Sequence, residues 1–443
     1  MKTTKLVLAL FFLICSPSFS QCWKSVSVGY ANVFAIAENG TLWGWGKNSS
    51  GELGDGTILL KNAPVQIGTA NNWKEISASI DGIYCFTLGI RTDGTLWAWG
   101  SNNRGQLGAG TEFSVNYPIQ VGTDTDWKTV AAGLSHSVAI KQNGTLWGWG
   151  AADRFALSAP SGLDVLAPRQ IGTDSNWRQV SAHDRVNLAV KTNNTLWAWG
   201  YNENNFIDVP VAAIIGNDIR YPTQLIGGIN VRKTAVGDRR IMKIGTDNNI
   251  AVSGSPYYVL DADNGYRTSA SIKLSDKTLW YSGLTLGGSS STPVGGLVQL
   301  GTATNWTSVS VGSQCAAAIN EDKEIWTWGS NFHGGLGIGT NGVGMTAFVP
   351  VKVECPSALL STPENVLKMG LQLYPNPSHD FITIESNFPI DYLVITDIQG
   401  KEISKKSYDN TRIVYDVSAL SKGMYFVKAY SGNRQNHIKF IKN

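Results

Sequence analysis

The sequence predicts an all-β protein, a seven-bladed β-propeller followed by a small C-terminal β-sandwich. Three observations carry that prediction. A tryptophan-rich phrase recurs along residues 22–355, and an Asn-Gly or Asp-Gly turn, or a near substitute, falls at the same place in each copy. Glycine and tryptophan are abundant, at 48 and 16 residues, while charged residues make up only 16% of the 443. Turns and large flat side chains recurring at one period mark a repeat architecture rather than a single small core. With 42% hydrophobic residues the chain has ample apolar surface to bury, which excludes wholesale disorder.

Residues 1–20 precede the repeats. Lys2 and Lys5, the apolar run 6–14 and a small polar stretch ending at Ser20 read as a secretory signal peptide, with the mature chain starting at Gln21. A membrane anchor needs about 20 apolar residues, roughly twice this run, and no other segment is long enough. Leu13 and Ile14 lack the small residue expected before a lipidated Cys15.

The repeat unit begins WKSVSVG (23–29), continues through the apolar VFAIA, turns at Asn39-Gly40 and goes on as TLWGWG (41–46). Clear copies also start at Trp73, Trp127, Trp177 and Trp306, and two weaker ones lie at 231–254 and 271–283. The stretch 231–306 is short for two units, so seven units is the reading and six the alternative. The turn residues Asn39, Asp93, Asn143, Asn193, Asn248, Asp276 and Asp322 suit a tight hairpin whose two central residues both take positive φ. A fourth segment, PVQIG at 64–68, returns at 118, 168, 222 and 350. Four alternating segments per unit of about 48 residues are the signature of a propeller blade.

Every tryptophan falls at a repeat position. In TLWGWG both rings point to one side of the strand. The small residue between them, Gly44, Ala98, Gly148 or Ala198, is expected to leave a slot for a ring from the adjacent blade. A sugar-binding aromatic platform is the alternative use of these rings, but a ligand site would not need them in five blades. Residues 22–355 carry 24 Lys+Arg against 25 Asp+Glu, so the body offers no basic footprint and nucleic acid is set aside as a partner.

The phrases GELGDGT (51–57), RGQLGAGT (104–111) and GGLGIGT (334–340), each following a Trp-Gly pair, resemble the repeat of the regulator of chromosome condensation family. That resemblance covers residues 22 to about 355 and implies a seven-bladed propeller. Blades 3 and 4 depart from it, with AADRFALSAP after Gly150 and YNENNFIDVP after Gly200. The eukaryotic namesake is a nucleotide-exchange factor for a small GTPase. Its partner is nuclear, so a secreted chain is not expected to inherit that role. The resemblance implies a binding scaffold and leaves the ligand open.

After Cys355 a linker (356–370) leads into a basic tail (371–443) with strands of its own. LYPNP (373–377), Asp397 to Gly400, Leu420 to Tyr425 and the terminal IKFIKN resemble the C-terminal sorting domain of the type IX secretion system. This resemblance implies a bacterium of the Bacteroidetes type. It also implies a chain handed through the periplasm to the type IX translocon, to be secreted or held at the outer cell surface.

No zinc spacing, nucleophile elbow or phosphate loop is present, and the five histidines suggest no catalytic set. His136 takes the strand position of Cys315, His183 replaces the glycine found at 29, 133 and 312, His333 sits in a glycine loop, and His379 and His437 lie in the tail. The expectation is a protein-binding module with no cofactor, no metal, no enzymatic activity and no membrane span. A carbohydrate-binding or glycan-processing surface protein is the alternative.

Two site-level expectations follow from the strand order. Loops after strands 1 and 3 of each blade share one face, and it varies from blade to blade, whereas the hairpin turns and inter-blade connections of the other face are monotonous. The candidate binding residues on the varied face are Tyr30, Asn32, Asp81, Tyr84, His136, His183, Asp184, Arg185, Asp238, Arg239, Arg240 and Gln314, with Arg185, Arg239 and Arg240 near its centre. Its longer loops carry Arg104, Arg154 and Phe155, Asn204 to Phe206, and His333. A propeller also brings its ends together, so Cys22 and Cys355 are expected to form a disulfide, leaving Cys85 and Cys315 as buried thiols.

Overall fold

A computed structural model describes residues 22–443 except 81, 159–162, 203–204, 217, 228–229, 238–239, 249–257, 267, 285–292, 343–344, 361–369, 399 and 432–433. The signal-peptide reading therefore lies outside the described residues. The chain divides into two compact units, one ending at Cys355 and the other spanning Pro356–Asn443.

Blade 1 shows the plan. Trp23–Val28, Asn32–Ala37, Leu42–Gly46 and Lys61–Gln66 form an antiparallel sheet in chain order. The second strand is buried along its whole length and the fourth nowhere, because the second lies between neighbouring blades and the fourth at the rim. Blades 2, 3, 6 and 7 repeat this four-stranded sheet, and blade 4 adds the short strand Ile214–Ile215. The described strands of blade 5 are Val231–Gly237 and Arg240–Gly245, and blade 6 begins at Val259. The ring thus has seven blades, and the shortage read in the sequence falls wholly on blade 5. Ring closure survives it because the innermost strands make the contacts from blade to blade, ending with blade 7 against blade 1.

That inner ring is held by side chains. An innermost strand has an unpaired edge whose N–H groups need acceptors. The preceding blade provides them from alternate positions of its own inner strand. Ser77 Oγ accepts from Ala132 N at 3.0 Å, Asp263 from Val311 N at 2.9 Å and Ser310 Oγ from Val28 N at 3.1 Å. No strand is exchanged at the closure. Trp23 N donates to Lys323 O at 3.1 Å, and a disulfide joins Cys22 to Cys355 with Cα atoms 6.3 Å apart.

Two expectations of local geometry are corrected. The hairpins do not place both central residues at positive φ. Only the second is left-handed, at Gly40 (φ 80), Gly94 (79), Gly144 (80), Asn194 (63), Asn248 (66), Lys277 (52) and Lys323 (60), and Asn248 proves to hold this second position. The first residue keeps negative φ, and in blade 1 its side chain works as an acceptor, Asn39 Oδ1 taking Thr41 N at 3.1 Å and Thr41 Oγ1 at 2.7 Å. The small residue of TLWGWG does not admit a ring from the next blade either, because it faces away from the tryptophans. A Cβ on Gly44 would meet Phe34 at 3.3 Å and Leu53 at 3.4 Å, both of its own blade. The tryptophans pack within a blade, Trp73 5.7 Å from Trp99 and Trp127 6.0 Å from Trp149. Their shared face then lies on the aliphatic side of the preceding blade, as Trp73 and Trp99 do on Phe34, Ile36, Leu42 and Leu53. The outer rings are capped by cations, Arg91 3.6 Å from the Trp97 centroid and Lys191 3.9 Å from that of Trp197.

The tail is one five-stranded sheet folded over a core of Ile382, Leu393, Val427 and Phe440. Its long strand Phe381–Asp397 pairs Glu402–Asp416 along one edge. Along the other it pairs first Leu371–Tyr374 and then Gly423–Ser431, with register breaks between Glu385 and Tyr392 where the sheet turns. This turn makes the sandwich.

Candidate functional site

Because successive strands are antiparallel, the loops after strands 1 and 3 open on one face, and in four blades the loop after strand 3 is fixed by a buried asparagine. Asn48, Asn102, Asn202 and Asn331, all fully buried, accept from the backbone N–H of Leu53, Leu107, Ile207 and Leu336 at 2.8–3.1 Å. The clamp turns one loop carbonyl toward the next blade. Glu52 O takes Trp99 Nε1 and Thr87 Oγ1, both at 2.8 Å. Gln106 O takes Trp149 Nε1 at 2.9 Å and Ser137 Oγ at 2.7 Å, and Ala156 O takes Trp199 Nε1 and Asn187 Nδ2, both at 2.9 Å. Both lone pairs are used at each of these three joints. Blade 3 keeps this geometry without the glycine phrase, since Ala156 and Leu157 sit where Glu52 and Leu53 do and Ser158 takes φ 53. The asparagine was visible in the sequence as the second residue after Trp-Gly in four blades.

So held, the loops project apolar tips. Leu59, Phe113, Leu163 and Val211 are 65%, 80%, 86% and 84% exposed, and Ile58, Ile83, Tyr266, Phe332 and Ile338 are also open on this face. Among the described residues the opposite face shows only Ile226, Tyr258 and Leu274. Several charges between the tips are paired. Arg104 is bidentate to Asp164 at 2.5 and 2.8 Å and to Asp153 at 3.0 and 3.1 Å. The guanidinium bonds hold the Asp153 carboxyl below the usual carboxylate range. Arg154 stacks 4.4 Å over Tyr201 and pairs with Asp218 at 3.3 Å, and Lys61 pairs with Asp55 at 2.9 Å.

The candidate residues divide into three groups. Tyr30, Tyr84, Asp184, Arg185 and Gln314 are half-buried on this face. Gln314 Nε2 donates to Tyr30 Oη at 2.7 Å across the blade 7 to blade 1 joint, and Arg185 pairs with Asp184 at 3.3 Å. Asn32, His136 and His183 are buried and cannot be ligand contacts, because the first residue of strand 2 and the last of strand 1 turn toward a neighbouring blade. Asp81, Asp238 and Arg239 and the side chain of Arg240 lie outside the described residues, so the arginine cluster is represented by Arg185 alone. The two histidines exchange places between blades. Gly133 makes room for His136, whose ring would stand 2.2 Å from a Cβ there, while blade 4 has His183 with Val186. Sequence reasoning missed the apolar tips, which differ in type from blade to blade and belong to no repeated motif.

His136 carries a testable consequence. Asn187 donates its Nδ2 to Ala156 O, so its Oδ1 faces His136 at 2.8 Å and the imidazole keeps its proton on Nε2. Burial pushes its pKa down from 6.5 to about 4, against the hydrogen bond to Asn187. The unfolded chain therefore takes up a proton between these values that the native state refuses, and stability falls as pH drops from 6.5 to 4, by about 3 kcal/mol in all. Asp263, pushed up to about 6 by burial, acts in the opposite direction over much of this window. Urea unfolding of wild type and His136→Gln across that window should show the wild type's advantage shrinking on acidification. A pH-independent difference would contradict this account.

The ring encloses a channel of about 180 Å³ lined by the innermost strands, including Ser27, Ser77, Ser181, Lys233, Asp263 and Ser310. Its lining carboxylate, Asp263, is engaged in joining strands, accepting from Val311 N and from Asn264 N, both at 2.9 Å. Elsewhere on the inner strands Glu75 accepts from Thr129 Oγ1 at 2.7 Å and Val130 N at 3.2 Å, and Asp261 from Lys233 at 2.5 Å and Val309 N at 3.1 Å. Among the described residues no cluster suits a metal ion, and no helix is long and apolar enough to cross a membrane.

Residues 23–52, 39–82, 93–140 and 127–154 match the family described as Regulator of chromosome condensation (RCC1) repeat, and residues 372–443 match Secretion system C-terminal sorting domain. The chain is similar to the Ultraviolet-B receptor UVR8 of Arabidopsis thaliana, 32% identical over 95 residues, 21% of each chain. It is 36% identical over 118 residues to the probable E3 ubiquitin-protein ligase HERC6 of Homo sapiens, covering 26% of this chain and 11% of that one. The matches thus span a quarter or less of these relatives' lengths. Yeast RCC1 (Prp20), in the structure of Kap60 bound to it, is 17% identical with a TM-score of 0.45, covering 79% of this chain and 77% of that one. The chain thus joins a propeller whose first three blades match the RCC1 repeat to a tail that matches a secretion system C-terminal sorting domain.

Proposed function

We propose that the propeller is a non-catalytic protein-binding module, exported by the type IX route to the outer surface or beyond, and that its partner docks on the face formed by the loops after strands 1 and 3. One observation carries this reading. Large exposed apolar side chains gather at the loop tips of that face, on a rigid frame, and a soluble surface keeps such patches where they are covered in use. Several of the charges among them are already paired with one another, so the partner surface is mainly apolar, and binding should weaken little with salt. The sorting-domain match supports the export route.

The test uses the full chain and a panel of extracellular proteins measured by biolayer interferometry. Phe113→Glu with Leu163→Glu should weaken binding of a captured partner at least tenfold, each buried aromatic or aliphatic anchor contributing about 1–2 kcal/mol. Asn39→Glu with Asn143→Glu, on the opposite face, should leave it unchanged. Equal loss from both pairs, or from neither, would overturn the assignment.

A further inference from the structure

Lys47 follows the Trp-Gly pair of blade 1, and Cys85 precedes the second strand of blade 2, so both lie at the joint between these blades. Lys47 Nζ points at Cys85 Sγ from 3.1 Å and at Glu52 Oε1 from 3.2 Å. The site is closed. The lysine side chain is 13% exposed, that of Glu52 0% and Cys85 1%. Glu52 is itself fixed, its Oε2 accepting from Ser50 N at 2.6 Å. The corresponding positions at the next two joints are Ser101 with Ser135 and Ala151 with Arg185, so the amine–thiol pair is particular to this one. The other thiol outside the disulfide, Cys315, lies at the blade 7 to blade 1 joint, where its Sγ would stand 3.0 Å from a Cβ on Gly335.

We propose that Lys47 and Cys85 form a redox-modification site, at which an oxygen atom is inserted to give a nitrogen–oxygen–sulfur bridge across the joint. The oxidant is dioxygen, abundant where disulfides persist. Starting from the ammonium–thiolate pair, one oxygen atom bonds to both Sγ and Nζ and the other leaves as water with two of the three ammonium protons. Sulfur and nitrogen each give up two electrons, and dioxygen accepts all four. Glu52 holds the amine on the sulfur while this happens. The bridge would tie the loop after strand 3 of blade 1 to the loop after strand 1 of blade 2, on the face that carries the apolar tips. This inference does not rest on the binding role.

The experiment is peptide mapping of the full mature chain, purified in air without reductant and then exposed further to air-saturated buffer. A cross-linked peptide pair should be found, about 14 Da heavier than the sum of its parts, one oxygen gained and two hydrogens lost. Thiol reductant should resolve it to unmodified Lys47 and Cys85. In the denatured, unreduced protein only Cys315 should then react with iodoacetamide. Lys47→Arg, which keeps the charge but cannot form the bridge, should return Cys85 as an alkylatable thiol. Two reactive thiols in the aerated wild type, Cys85 found as sulfinic acid with Lys47 unmodified, or the same link persisting in Lys47→Arg would each overturn the proposal.

Discussion

Replacing Cys22 and Cys355 by serine should lower the propeller's unfolding free energy by up to about 6 kcal/mol, the chain-entropy value for a loop this long. The disulfide spans 333 residues and joins the two ends of the ring. Its weight is increased by what the closing joint lacks. From blade 1 to blade 4, at each joint a loop carbonyl takes both an indole and a Thr, Ser or Asn side chain from the next blade. Here Gly335 O takes Trp45 Nε1 at 3.1 Å, and the position of Thr87, Ser137 and Asn187 is Val33, which has nothing to donate. Opening should therefore start between blades 7 and 1. Equilibrium denaturation of the unreduced wild type against the double variant measures the loss, and hydrogen exchange should show the strands of blades 7 and 1 losing protection first. A double variant as stable as wild type would mean that non-covalent contacts alone hold the ring shut.

The second large effect isolates the glycine phrase. Gly108 and Gly110 have nearly the same backbone, φ +74 and +78. A Cβ on Gly108 would stand 2.7 Å from Trp149 Nε1, whereas one on Gly110 meets nothing within 4 Å. Trp149 cannot retreat, being fully buried and tied to Gln106 O. Gly110→Ala should cost about 1 kcal/mol for the left-handed backbone alone. Gly108→Ala should cost about 3 kcal/mol or more, since the clash is added to the same backbone term. Urea denaturation of the two variants gives the difference directly, and equal losses would show that the phrase serves only the turn. The same contact recurs as Gly54 with Trp99 and Gly337 with Trp45, which is why the glycine and the tryptophan repeat together.

Much of this architecture was legible because the repeat compares the chain with itself. Period-2 segments, hairpin residues and the Trp-Gly pair each return several times, so strand order and the alternation of faces could be read without coordinates. The turn type was not, because Lys277 and Lys323 occupy a left-handed position that glycine fills in blades 1 to 3. Nor was the direction of residues at strand ends. Asn32, His136 and His183 vary as exposed residues do, yet each answers a particular neighbour, as the exchange of Gly133 and His136 for His183 and Val186 shows. In a propeller such variation reports on the adjoining blade as much as on solvent. The apolar tips were hidden for the opposite reason: Leu59, Phe113, Leu163 and Val211 share a place in the fold but no motif.

The central claim is that recognition belongs to the face formed by loops after strands 1 and 3. Hydrogen–deuterium exchange on the full chain, with and without a captured protein partner, tests it most directly. Amides of residues 53–60 and 105–114 should gain protection on binding, while those of the hairpins at 38–41 and 142–145 on the opposite face exchange as before. Protection confined to the hairpin face, or spread evenly over both, would contradict it.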